Sequence, residues 1–154
     1  MNTPKSFFSR FFLDLQDFLS ISIPEIKWID IDNDQLDTAI RPSLSYPAIL
    51  IDFSADDVDE LSSGSYHMAV TVHIYLVTDN YAASYHKAPL KDRYNALAIY
   101  EFEHRLITVL QNWIPGDYCQ GISFRSSNSE NRNDINLRVR HLQFSTSFEA
   151  FLDE

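Results

Sequence analysis

The chain has 154 residues, with 12 Lys and Arg against 22 Asp and Glu, so its formal charge at pH 7 is −10. Because 45% of the residues are hydrophobic and only three are Gly, the composition excludes disorder and collagen-like repeats and indicates one domain, residues 1–154. The negative charge argues against specific nucleic-acid binding, in which Lys and Arg contact the phosphates. A single cysteine, Cys119, cannot form an internal disulfide, which favours a cytoplasmic protein.

The first half of the chain predicts one helix followed by strands. Thr3-Pro4 has the pattern of a helix start, and aromatic residues and leucines then recur every three or four residues, which predicts a helix over about 4–20. Partial alternation of apolar and polar residues predicts a short strand at 26–32. The apolar run 47–53 predicts a buried strand, and regular alternation over 66–78 predicts a half-buried one.

The second half returns to the helical period and then to strands. We expect a helix over about 90–113, with Leu90, Tyr94 and Leu97 among its inward positions. A short strand at 121–125, a polar loop at 126–133 and a last strand at 135–148 follow. The apolar phase changes within this last strand, which predicts a β-bulge near Arg140 and His141. These elements together predict an α+β fold, with an antiparallel or mixed sheet packed against two main helices.

Three alternate carboxylates, at Asp30, Asp32 and Asp34, suggest a calcium loop, because hard cations are bound by oxygen ligands. The rest of the loop does not fit. Gln35 stands where an EF-hand turn needs Gly, and Arg41 stands where it needs a bidentate Glu. We therefore favour a strand edge followed by a helix cap and predict no metal, and a calcium-dependent binding module stays as an alternative function.

No sequence feature favours an enzyme, a cofactor or a membrane span. His67 and His73 share a strand face, but six strand residues separate them by about 20 Å, too far for one shared ion. The chain contains no nucleophile elbow, zinc-protease motif or glycine-rich phosphate loop. The longest stretch without charges, 61–78, alternates apolar with polar residues in its second half, which is typical of a strand and not of a transmembrane segment.

Charge is distributed unevenly along the chain. Residues 28–86 carry a net charge of −9, and residues 87–140 carry +2. An acidic run followed by cationic C-terminal strands predicts a contact between copies, in which unlike surfaces meet front to back and form a ring if the rotation closes. The other interpretation of the acidic run is a solvated loop that keeps the protein soluble. The predicted subunit-interface residues are Asp56, Asp57, Asp59 and Glu60 on one side and Arg125, Arg132, Arg138 and Arg140 on the other.

The order of these patterns, over nearly the full chain, resembles the tail-completion or tail-terminator proteins of long-tailed bacteriophages and prophages. The segments that carry the resemblance are Trp28–Asp37, Pro47–Phe53, Val109–Trp113, Phe124–Ser127 and Arg140–Phe148. The resemblance implies an α+β subunit that forms a homo-oligomeric ring, typically hexameric, and joins the tail tube to the head connector. It also implies a prophage-encoded protein, located in the bacterial cytoplasm during assembly and then in the virion tail.

A second alternative is an inhibitor that imitates nucleic acid, since the dense carboxylates of 52–60 could imitate a row of phosphates. Loops 79–89 and 126–133 are candidate docking segments for assembly partners, because loops on a rigid scaffold commonly become ordered on binding.

Overall fold

The computed structural model describes residues 4–79 and 81–151 and shows an α+β fold with a five-stranded mixed sheet. Its strands are β1 (Trp28–Ile31), β2 (Ala48–Ser62), β3 (Ser65–Thr78), β4 (Ser123–Ser129) and β5 (Arg138–Phe151). They lie in the order β1-β2-β3-β5-β4; β1 and β2 are parallel, and all other neighbours are antiparallel. This confirms the predicted fold class. Among the residues described, no helix is long and apolar enough to cross a membrane. The helices are α1 (Phe7–Ser22), before β1, and α2 (Leu90–Ala96) and α3 (Ala98–Leu110), between β3 and β4; a 3₁₀ turn (Asn133–Ile135) precedes β5.

Helix α1 begins three residues later than the sequence predicts. Ser6, in an extended conformation, takes the capping position, whereas Thr3 lies outside the described residues. The ring of Phe7 stacks on that of Phe148 with centroids 3.4 Å apart, so the first helical residue is already packed on the sheet. Phe11, Leu15 and Leu19 follow at steps of four and are buried, as the helical period predicts.

The predicted helix over 90–113 is two helices. The prediction of its inward face is wrong for its first eight residues. The backbone leaves helical geometry at Leu97, which ends α2 and precedes α3. The buried face follows the helical period across this break, through Ala96, Ile99, Glu103, Leu106 and Leu110. Leu90, Tyr94 and Leu97, predicted to point inward, are exposed instead.

Strand β2 extends nine residues beyond the predicted 47–53. Its second half is exposed, but it pairs with β3 along its whole length, so the antiparallel ladder holds the backbone extended despite the acidic side chains. The interpretation of the acidic run as a loop is therefore wrong. For the same reason, Ser126–Ser129 belong to β4, where they pair with β5, and not to the predicted loop at 126–133.

The predicted bulge in the last strand is absent from the described ladder, because β5 pairs with β3 in one continuous register from Arg138 to Phe151. Bulges occur instead in β2 and β4. The apolar phase changes because there are two cores. Helices α1 and α3 cover one face of the sheet, whereas a smaller cluster covers the opposite face at one end. That cluster contains Ala48, Val77, Ile135, Leu137 and Val139, with Leu36, Leu44 and Tyr46 packed against them.

Candidate assembly surfaces

Strand β2 has an open edge over most of its length. Strand β1 pairs only with residues 48–51, and the last hydrogen bond on that side runs from Asp32 N–H to the Ile51 carbonyl, at 2.8 Å. Within residues 4–79 and 81–151, no strand lies beside β2 from Asp52 to Ser62 on that side. This open edge ends at the turn into Ser65, where β3 begins.

The predicted acidic residues lie at the far end of the open edge. We call residues 56–61 the acidic tip. Asp57 and Asp59 pair with Ala69 and His67 of β3, on the sheet face opposite the helices, whereas Glu60 alternates to the other face. No ion pair to Asp57, Asp59 or Glu60 occurs in the part of the chain that the structure describes. Val58 and Leu61, also in the tip, are about half-exposed.

Asp56 differs from the other three carboxylates, because its oxygens are already hydrogen-bonded within the chain. It occupies the bulge between Ala55 and Asp57 and accepts hydrogen bonds from the hydroxyls of Ser54 and Thr71. The bulge turns this side chain onto its own sheet, so Asp56 is less available to a partner than Asp57 or Asp59.

All four predicted arginines make contacts within the chain. Arg140 forms an ion pair with Glu103 of α3 at 3.2 Å and donates to the hydroxyls of Ser127 and Ser129. Arg138 donates to the Ala96 carbonyl. These contacts attach the helices to the end of the sheet.

Arg132 and Arg125 lie elsewhere. Arg132 forms an ion pair with Asp134 at 2.9 Å and donates to the Thr38 carbonyl. Arg125 is exposed and donates to the Ser145 hydroxyl, on the face opposite the helices. The structure does not bring the predicted acidic and basic sets together within one copy, and their role as an interface stays a prediction.

Sequence reasoning missed a basic and apolar surface on α2. Leu90, Tyr94 and Leu97 stand at helical steps of four and three and are 51%, 65% and 45% exposed. Lys87 and Lys91 flank them, and in the chain as described neither lysine forms an ion pair. We call these five residues the α2 surface. The sequence shows the stripe, but the helical period places it opposite the buried residues Ala96, Ile99 and Leu106, so the sequence prediction assigned it to the wrong face.

Two histidines that are distant in sequence are neighbours on the face opposite the helices. Nδ1 of His73 lies 2.9 Å from Nε2 of His141, on the adjacent strand β5. The Ser54 hydroxyl lies 3.2 Å from the other nitrogen of His73, and Glu130 lies 3.2 Å from the other nitrogen of His141. The four side chains form one hydrogen-bonded row. Burial, followed by the charge of His141, lowers the pKa of His73 below its ordinary value of 6.5.

We expect this histidine pair to make the fold less stable in mild acid. The pKa of His73 is lower in the folded chain than in the unfolded chain. As the pH falls below about 6.5, the unfolded chain therefore binds a proton at this residue more readily, and the free energy of unfolding decreases. Urea midpoints at about pH 7.5 and about pH 5.5 measure this loss. His73→Gln should reduce the pH dependence, with His86→Gln, at an exposed position, as control. An unchanged dependence in His73→Gln would contradict the assignment.

The carboxylates considered for calcium serve local turns. Asp30 accepts from the Ile31 N–H at 2.8 Å, and Asp32 accepts from the Asp34 N–H at 3.2 Å. Burial raises the pKa of Asp32, and the nearby carboxylates Asp52 and Asp34 raise it further. Over the described ranges, no group of three or more His, Cys, Asp or Glu side chains could hold a metal ion. Asp32 and Asp34 line a shallow cavity of about 220 Å³.

A larger groove, of about 970 Å³, runs between the start of α1 and the ends of β3 and β5. Phe7, Met68 and Phe148 give it an apolar lining, and Lys5 and Arg10 are among its charged lining residues. Cys119 also lines the groove and is buried. Burial, with a further contribution from the Asp14 carboxylate, raises the pKa of Cys119 to about 11.

Comparison with known proteins gives a likeness among solved structures. No family model matches the chain. No curated protein matches it either. A chain from a solved structure described as the virion of a native gene transfer agent (GTA) particle is similar, with 14% sequence identity and a TM-score of 0.45. The similarity covers 90% of this chain and 91% of that chain. A TM-score this low carries no argument about the function of this chain.

Proposed function

We propose that this chain is a structural, non-enzymatic virion assembly protein, a subunit of a tail terminator-like ring that joins the tail tube to the head connector. The observation that carries the proposal is the open edge of β2. A long strand edge with free N–H and C=O groups is a template for pairing with another chain, and proteins usually shorten, cover or charge such edges. Here the edge is long and charged. The charges disfavour unspecific pairing of strands and favour a partner of opposite charge.

The distribution of charge supports assembly from identical copies. Acidic residues concentrate at the tip of β2, whereas α2, at the other end of the sheet, presents lysines. Unlike surfaces at opposite ends favour front-to-back contacts, which form a closed ring when the rotation permits. The exposed carboxylate of Asp52, on the face opposite the helices, would repel phosphates, as the lumen of a ring that DNA passes through requires. The proposed partners are further copies of this chain, the tail tube and the head connector.

One observation favours the second candidate, an inhibitor that imitates nucleic acid. Asp52, Asp57 and Asp59 all belong to the face of β2 opposite the helices, so their charges form a row along one strand. Arg125 lies on the same face, where imitation of a phosphate row has no use for a cation. We therefore place this candidate second.

The proposal predicts that the full chain forms oligomers, alone at high concentration or when mixed with tail tubes from particles encoded by the same genome. Sedimentation velocity over a concentration series, without and with tubes, measures this. Oligomers of uniform size, or co-sedimentation with tubes, are the expected result. A chain that stays monomeric and unbound in both conditions would overturn the proposal. Salt-sensitive capture of a DNA-binding protein by such a monomer would favour the second candidate.

A further inference from the structure

We infer that the α2 surface of one copy receives the acidic tip of a neighbouring copy. The inference rests on the proposed self-assembly and names the two surfaces that meet. It departs from the sequence prediction on the basic side, where four arginines were expected. Arg132 and Arg140 form ion pairs within their own chain, and Arg125 and Arg138 donate hydrogen bonds within it.

The α2 surface has the composition of a contact surface. Three large side chains, Leu90, Tyr94 and Leu97, project from the same side of a short helix and are about half-exposed or more. A helix normally turns an apolar stripe toward the core. In α2 the buried residue is Ala96, on another side of the helix, and the stripe is exposed. Lys87 and Lys91 are charged groups beside the stripe, as at the polar rim of a protein interface.

The acidic tip is its complement in both charge and polarity. Val58 and Leu61 are about half-exposed. Val58 and Glu60 lie on the helix side of the strand and Asp57 and Asp59 on the other side, so a partner at the open edge meets both kinds of group. Alternate strand residues stand about 7 Å apart, so Asp57 and Asp59 present two carboxylates on one side of the strand. None of these carboxylates has a cationic partner among the residues that the structure describes. Opposite charges around exposed apolar side chains favour this pairing over pairing of like surfaces.

The two surfaces cannot meet within one copy. The acidic tip lies where β3 begins at Ser65, and the other end of β3, Thr78, pairs with Arg138, which donates to the Ala96 carbonyl at the end of α2. A 14-residue strand spans about 45 Å, so the surfaces occupy opposite ends of the sheet. The contact is therefore between copies and heterologous, and each copy gives one tip and receives another.

Charge reversal tests the contact in the full chain. In Asp57→Lys/Asp59→Lys the tip becomes basic, and in Lys87→Glu/Lys91→Glu the α2 surface becomes acidic. Like charges then face each other, so we expect assembly to require about tenfold higher concentration or more in either variant. A chain with all four substitutions restores opposite charges and should assemble like the wild type. Light scattering over a concentration series, with tail tubes where the wild type needs them, measures assembly.

A matched control separates this contact from a general effect of charge. Asp17→Lys/Asp37→Lys changes the net charge as much as the tip reversal does, at exposed positions away from both surfaces, and should assemble like the wild type. Circular dichroism verifies that each variant is folded. Unchanged assembly in both reversed variants, while the wild type forms oligomers, would overturn this inference and leave the proposed function intact. A wild type that never assembles would overturn the proposed function itself.

Discussion

Phe11→Ala is expected to lower the free energy of unfolding by about 4 kcal/mol, because it removes a fully buried aromatic side chain and leaves a cavity between α1 and the sheet. The Phe11 ring lies between three others, with centroids 5.4 Å from Phe7, 5.7 Å from Phe53 and 5.8 Å from Trp113. These contacts join α1, β2 and the segment after α3. The loss is a large fraction of the ~5–15 kcal/mol stability of a typical domain.

Urea unfolding followed by tryptophan fluorescence measures this change, since Trp113 belongs to the same cluster. Leu13→Ala, on the exposed side of the same helix, is the matched control and should cost less than about 1 kcal/mol. If the two variants lost equal stability, the packing of α1 on the sheet described here would be wrong.

Glu103→Ala is expected to lower the free energy of unfolding by about 3 kcal/mol, because it leaves the largely buried Arg140 without its carboxylate partner. The side chains of Glu103 and Arg140 are only 11% and 16% exposed, so water replaces little of the lost interaction. The serine hydroxyls of β4 still accept from Arg140, which places the loss at the lower end for a broken buried pair.

The double variant Glu103→Leu/Arg140→Met tests whether the loss comes from the unpaired charge. It removes both charged groups and keeps much of their volume, so we expect it to be more stable than Glu103→Ala. Denaturant titration of the two variants and the wild type gives the comparison. A loss below about 0.5 kcal/mol in Glu103→Ala, the range of ordinary surface substitutions, would contradict the burial of this pair.

The sequence predicted those elements whose pattern depends on one core. The alternation over 66–78 matches β3 almost to the residue, because one face of that strand packs under the helices along its length. The prediction from the sequence failed where pairing with a distant strand overrides the local preference of the residues. The acidic half of β2 contains few strand-forming residues, and its extended backbone depends on β3, a partner that local patterns do not show.

The candidate surfaces show the same division. The sequence shows the acidic residues as a cluster along the chain. It does not show which cationic residues are free to bind them, because that depends on contacts within the folded chain. Arg138 and Arg140 appear free in the sequence and are engaged by Ala96 and Glu103 in the fold. Leu90 lies opposite Ala96, Ile99 and Leu106 by the helical period, but the sequence alone does not show which of these two faces packs on the sheet.

The buried cysteine makes this protein convenient for site-specific chemistry. A thiol reacts as its thiolate, and Cys119 is both covered and, with its raised pKa, protonated at neutral pH. A cysteine introduced at an exposed position would therefore react with maleimide dyes or spin labels far faster than Cys119, without removal of the native residue. Pairs of such labels could then report distances between neighbouring subunits in an otherwise unmodified chain.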